Sequence, residues 1–306
     1  MPWAVALLLV ACTRPVATVT RAGPRPARAA DTPGEARVPD PAATPEPAAT
    51  ARRKPSPAVA PRGRLSALDV AGFGPAVVWT PPARARPYPL LVAAHGAGDR
   101  PEGHCELYGD VVGDDGIVLC PRGRRLDARE PYARAPCYFP DHHYLEAVID
   151  ASLAALLARE AGEERGAVRV DPEGAVFAGY SQGATMGALV VAGEPGRFAR
   201  ALLVEGGFGA WNVAIAARYR AGGGRRVALV CGGLGCASSA AESARWLERG
   251  GILAQVTHVA GAGHTYGGAI AARLPEIFRW LVADDPRWQR APTGSPPRRD
   301  GAERRE

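Results

Sequence analysis

Two residues stand out for the chemistry they could do together, Ser181 and His264. Ser181 lies in Gly179-Tyr180-Ser181-Gln182-Gly183, a G-x-S-x-G string that chance gives roughly 0.1 times in a chain of this composition. A strand-like run, Val176-Phe177-Ala178, leads into it, and the small residues Gly183, Ala184 and Gly187 open a helical stretch after it. A serine on so sharp a strand-to-helix turn needs small neighbours two residues to either side, and its hydroxyl then projects from the carboxyl edge of a sheet as a nucleophile. The helix start beneath it offers amide donors and positive potential to a developing oxyanion.

Such a hydroxyl attacks only with a base at hand, and imidazole accepts a proton near neutral pH. Of the six histidines, His258 falls inside a strand-like run, and His104, His142 and His143 lie in or just before the first turns of helices. His95 follows a strand and is more simply a support for its loop. His264, in Gly263-His264-Thr265-Tyr266-Gly267 after the last strand, remains as the base. Asp141-His142-His143 lacks a paired ligand spacing such as H-E-x-x-H, so neither a metal nor another cofactor is expected.

The elements that must position these groups alternate. Strand-like runs at 76–80, 90–94, 117–120, 175–180, 201–205, 227–231 and 253–259 are separated by helical stretches at 102–112, 143–160, 182–191, 211–220, 238–249 and 269–282. This alternation predicts a three-layer α/β fold: a mainly parallel sheet with helices on both faces. Continuous apolar strands such as Val227-Ala228-Leu229-Val230 suit burial on both sides. Only one helix fits between Glu205 and the next strand, which leaves no room there for a large cap domain. The long loop from Pro121 to Pro140 carries Tyr132, Tyr138 and Phe139, either as one wall of a substrate pocket or as ordinary loop packing.

Charge marks the boundaries. Residues 13–64 hold ten basic side chains against four acidic ones, an excess as large as the net +6 of the whole chain. They are dense in Pro and Ala and cannot bury enough surface to offset ordering, so they are expected to be a disordered linker. Residues 65–283 carry 21 Arg against 22 Asp and Glu. This near-neutral domain does not suggest nucleic-acid binding. The polar segment 284–306 is expected to be a disordered tail. At the other end, Ala4–Ala11 is an apolar run suited to a signal-peptide core and too short to cross a bilayer as a helix.

Leu9-Val10-Ala11-Cys12 resembles the lipobox of bacterial lipoproteins. The resemblance implies a signal in residues 1–12, acylation at Cys12, a membrane partner reached through that lipid anchor, and a place outside the cytoplasm; an ordinary secretory signal implies the same side of the membrane. Disulfides persist there. Apart from Cys12, five cysteines allow two bridges, and Cys231–Cys236 and Cys105–Cys120 are the pairs expected.

Over residues 65–283 the sequence resembles the α/β-hydrolase superfamily. The nucleophile turn is similar to that of cutinases, while His95-Gly96-Ala97-Gly98 is similar to the HG loop of carboxylesterases and dienelactone hydrolases. That match implies the backbone N–H groups of Ala97 and Gln182 as the oxyanion hole. The Gly263–Gly267 segment resembles the loop that delivers the catalytic histidine. In most relatives an Asp follows the strand that here ends at Cys231, yet no Asp or Glu occurs from Cys231 through Ala241. Some relatives, haloalkane dehalogenases and pancreatic lipases among them, take the acid from the end of the preceding strand, which points to Glu205. The competing role for Glu205 is a cap or a pair with Arg226; Asp141 and Asp114 are weaker candidates because neither ends a strand on the expected edge. The expectation is an extracytoplasmic serine esterase acting on a small or polymeric ester, with a non-catalytic envelope-binding protein as the alternative if no acid supports His264.

Overall fold

The computed structural model describes residues 63–162 and 168–289. The expected signal and lipobox-like segment, with Cys12, therefore lie outside the described residues, as do most of the expected linker and the expected tail beyond Gln289.

Among the described residues ten strands and six α-helices follow in order: β1 Arg64–Leu68, β2 Ala76–Thr80, β3 Tyr88–Ala94, α1 Pro101–Val112, β4 Ile117–Cys120, β5 Arg124–Arg125, β6 Cys137–Tyr138, α2 His142–Gly162, β7 Val170–Tyr180, α3 Gln182–Gly193, β8 Arg200–Val204, α4 Val213–Ala221, β9 Arg226–Cys231, α5 Leu234–Arg249, β10 Leu253–His258 and α6 Gly268–Leu281. Eight strands form one sheet in the order β1-β2-β4-β3-β7-β8-β9-β10, and β5 pairs with β6 in a small ribbon. β1–β2 and β2–β4 are antiparallel; every other pair in the main sheet is parallel. Every strand and helix expected from the alternating pattern is present. β1 and the β5–β6 ribbon are additions.

Period-two alternation divides each central strand between two cores. Leu90, Val92 and Ala94 of β3 join Leu145, Ala184, Tyr219 and Leu247 from α2–α5 on one face. Leu91 and Ala93 join Tyr108, Ile270, Leu274 and Phe278 from α1 and α6 on the other. The sheet is thus covered on both sides, and its two edge strands, β1 and β10, are the ones that meet solvent, with Leu65 and Leu253 exposed on them. Both expected disulfides, Cys105–Cys120 and Cys231–Cys236, are formed, and Cys137 is a buried free thiol.

Packed structure continues past the expected domain bounds at both ends. β1 begins at Arg64, inside the expected linker. At the other end the fold does not stop at Ala283. Arg200, buried at the start of β8, is 3.0 Å from Asp284 and 3.2 Å from Asp285. Arg287 in turn reaches Asp285 at 2.7 Å, and Trp288 is buried against Phe278. A buried guanidinium is tolerated only when paired, so these carboxylates belong to the fold.

Candidate active site

Ser181 stands between β7 and α3 with φ 50° and ψ −113°, a conformation rarely open to a residue with a side chain. The surroundings hold it there. Its N–H donates to the Val204 carbonyl at 2.9 Å, and its own carbonyl accepts from Thr185 N–H at 2.9 Å. A Cβ on Gly179 would strike the Gly183 and Ala184 backbone, and one on Gly183 would strike the carbonyls of Ala94 and His95. The two flanking glycines are therefore required by close backbone approach, as the motif implied.

The imidazole of His264 meets Ser181 from the loop after β10. Its Nε2 lies 2.9 Å from Ser181 Oγ, and its Nδ1 lies 3.1 Å from Glu205 Oε2. Glu205 follows β8 at φ 56°, its N–H bonded to the Val230 carbonyl at 2.8 Å and its side chain almost wholly buried. Gly232 N–H donates to its other oxygen, Oε1. Both carboxylate oxygens are engaged, and the imidazole is held with Nδ1–H toward Glu205 and the Nε2 lone pair toward the serine. Arg226 goes instead to Asp284 at 3.3 Å and to the Trp280 carbonyl at 2.6 Å. Asp141 caps α2 through Tyr144 N–H at 2.8 Å, and Asp114 is exposed on the turn after α1.

The loop after β3 closes the other side. His95, fully buried, is 2.7 Å from the Gly96 carbonyl through Nδ1, and its Nε2 accepts from Gly123 N–H at 3.1 Å. Burial pushes its pKa down to about 4, which keeps it neutral, and the Gly123 N–H and Gly96 carbonyl set its tautomer, with the proton on Nδ1. Neighbouring amides are used internally: Gly98 N–H goes to Cys137 O at 2.8 Å and Asp99 N–H to Gly96 O at 3.2 Å. The Ala97 and Gln182 N–H groups have no hydrogen-bond partner among the described residues.

The Pro121–Pro140 loop is anchored rather than draped. Buried Arg122 reaches Pro75 O at 2.7 Å and Tyr132 O at 3.1 Å and also pairs with Glu102; Phe139 N–H donates to the Gln182 side chain at 2.8 Å. Phe139 is fully buried against His95, and the Tyr132 ring lies where a Cβ on Gly74 would be. For these two aromatics, loop packing is what the structure shows.

No protein-family model and no curated protein sequence matches the chain. Among solved structures it is similar to esterase PE8, at 19% identity and TM-score 0.49 over 68% of this chain and 98% of that one. It is also similar to FphF, a fluorophosphonate-binding serine hydrolase of Staphylococcus aureus, at 10% identity and TM-score 0.51 over 72% of this chain and 98% of that one. The chain has the α/β-hydrolase fold.

One support within this α/β-hydrolase domain escaped the sequence reading. His104, buried in the first turn of α1, is 3.1 Å from Asp99 Oδ2, and that hydrogen bond holds the Asp99 carboxyl below its ordinary range. Its ring lies 3.9 Å from that of Tyr266 and 5.7 Å from that of Tyr180. Tyr180 O–H donates to the His264 carbonyl at 3.1 Å, and burial, followed by the charge of Asp99, raises its pKa to about 12, so it remains a donor. The loops bearing Ala97 and His264 are thereby joined. The one legible sign was a histidine five residues after an aspartate across a helix start. His142 and His143 lie ring against ring at the start of α2, 3.9 Å apart, and His258 is exposed at the end of β10. Among the described residues no group of three or more His, Cys, Asp or Glu could hold a metal ion.

Proposed function

We propose that the chain is an extracytoplasmic serine hydrolase that cleaves carboxylic esters through an acyl-enzyme, with Ser181 as nucleophile, His264 as general base and Glu205 as the orienting acid. The observation that carries this reading is the continuous relay from Ser181 Oγ to His264 at 2.9 Å and from His264 to Glu205 at 3.1 Å. As Oγ bonds to the ester carbon, its proton passes to Nε2, and the buried carboxylate stabilises the resulting imidazolium. The carbonyl oxygen, now negative, is received by the Ala97 and Gln182 N–H groups, each such donor contributing about 3 kcal/mol or more to the transition state. Imidazolium then protonates the departing alkoxide as the C–O bond breaks. Water attacks the acyl-serine by the same route, releasing the carboxylic acid and restoring the Ser181 hydroxyl. An envelope-binding domain that had lost its acid would leave His264 unsupported, whereas Glu205 fills that place. The same proposal places the domain at the cell envelope through a lipid on Cys12.

The test is labelling with a fluorophosphonate probe together with hydrolysis of short-chain esters. Ser181→Ala is expected to abolish labelling and to lower kcat on the order of a millionfold. Undiminished hydrolysis by the purified variant removes the mechanism.

A further inference from the structure

A cleft of about 290 Å³ opens between the loops that hold Ala97 and His264. Its walls are Gly98, Asp99 and Arg100 from the loop after β3, Arg134 and Pro136 from the 121–140 loop, and Tyr266 two residues beyond His264. Apart from Pro136 and the Tyr266 ring, nothing in these walls is apolar, so the cleft does not suit an alkyl chain. Its charges are unequally committed. Asp99 is taken by His104 at 3.1 Å. Arg100 donates to the Ala133 carbonyl and lies 3.9 Å from Glu102. Elsewhere on the 121–140 loop, Arg122 is buried on Glu102 and Arg125 donates to the Glu130 carbonyl at 2.6 Å. The guanidinium of Arg134, exposed at the cleft, has no hydrogen-bond or ion-pair partner among the described residues.

We infer that this cleft is a subsite for a carboxylate-bearing part of the ester, gripped by the Arg134 guanidinium; the inference rests on the serine-hydrolase reading and names the substrate class within it. Guanidinium presents a planar fork that matches a carboxylate bidentately. Arg100 and Arg134 against Asp99 leave the cleft about one net positive charge, the complement of a monoanionic carboxylate.

The experiment compares two matched pairs of esters. One puts the charge on the acyl side, para-nitrophenyl hemisuccinate against para-nitrophenyl butyrate; the other puts it on the alcohol side, para-acetoxybenzoate against phenyl acetate. The charged member of one pair is expected to show the higher kcat/KM by about tenfold, through KM, with the preference shrinking as salt rises. Arg134→Ala, which removes no described contact of the side chain, should lower the charged-to-neutral ratio of that pair about tenfold, and Arg134→Lys should retain part of it. The pair that responds tells which side of the scissile bond enters the cleft. Equal kcat/KM within both pairs, or a preference untouched by Arg134→Ala, overturns the subsite and leaves the hydrolase reading standing. A calorimetric titration of the intact chain with monomethyl succinate separates the opposite failure. A chain that hydrolyses nothing but binds this monoanion in an Arg134-dependent way keeps the subsite and loses the hydrolase reading; one that neither hydrolyses nor binds loses both.

Discussion

Replacing Glu205 by glutamine changes one carboxylate oxygen to an amide NH₂ and tests the orientation of the proposed base directly. In the wild type Oε1 accepts from Gly232 N–H and Oε2 from His264 Nδ1–H at 3.1 Å, so both atoms act as acceptors. A glutamine has one acceptor and one donor to offer. If its oxygen stays with Gly232, its NH₂ faces Nδ1, and the imidazole must move its proton to Nε2. It then donates to Ser181 instead of accepting from it. If the amide turns over, its NH₂ confronts the Gly232 N–H and strands a buried donor at about 1–3 kcal/mol. Either way the productive arrangement is lost while shape and volume are kept. Our hypothesis is that Glu205→Gln folds normally and loses about 10⁴-fold in kcat, the scale seen when a triad acid becomes an amide, or about 5 kcal/mol. The measurement is steady-state turnover of a short-chain ester per active site, with the rate of fluorophosphonate labelling as a parallel readout. Turnover within a factor of a few of wild type would show that Glu205 does not orient the base.

Three further outcomes are expected. His95 has an ordinary pKa of 6.5 lowered to about 4 by burial, so the unfolded chain binds its proton first as pH falls. Stability present at pH 7 is lost through that window, by about 3 kcal/mol for this residue. Urea melts of wild type and His95→Gln at both ends of the window should differ in pH dependence by that amount, and identical dependence counts against it. The paired carboxylates lose stability in the same direction, but they do so in both proteins. Gly183→Ala forces a Cβ onto the Ala94 and His95 carbonyls and should cost about 1–3 kcal/mol in a thermal melt, with activity falling too; a variant as stable and active as wild type refutes the close-packing argument. Under the lipid-anchor proposal, Cys12→Ala shifts the protein from the membrane to the soluble extracytoplasmic fraction or blocks its processing, and an intact mass showing an unmodified mature N-terminus elsewhere rules that out.

Local chemistry was the legible part. The Ser181 turn could be read because its glycines, its leading strand and its following helix are consecutive, and Glu205 could be singled out as a candidate because a strand end followed by two glycines left few other carboxylates. Long-range pairings could not be read in this way. Asp284 and Asp285 looked like tail because their partner, Arg200, lies 84 and 85 residues away. A signal did exist in Trp288, an apolar residue out of place in a solvated tail. The aromatics of the 121–140 loop were ambiguous for the same reason: Tyr132 answers to Gly74 and Phe139 to His95, neither of them near in sequence. The Asp99–His104 pair needed the fold of the loop before α1 to bring it together.

The hydrogen bonds at the carboxyl edge of the sheet have a mechanical consequence. Ser181 N–H is tied to Val204 at the end of β8, Glu205 N–H to Val230 near the end of β9, and Val259 N–H to Cys231. The residues proposed as nucleophile and acid are thus successive rungs of one frame, and neither can shift without dragging a neighbouring strand. His264 is built differently. It extends from a loop with Gly261 and Gly263 at positive φ, and its side chain is 59% exposed against 4% for that of Glu205. In the proposed mechanism two of the three groups therefore form a fixed jig, and the third is the tool held out to solvent. Wear should begin with the tool: an imidazole-directed reagent such as diethylpyrocarbonate would disable the site by modifying one accessible ring while the frame beneath it stayed true.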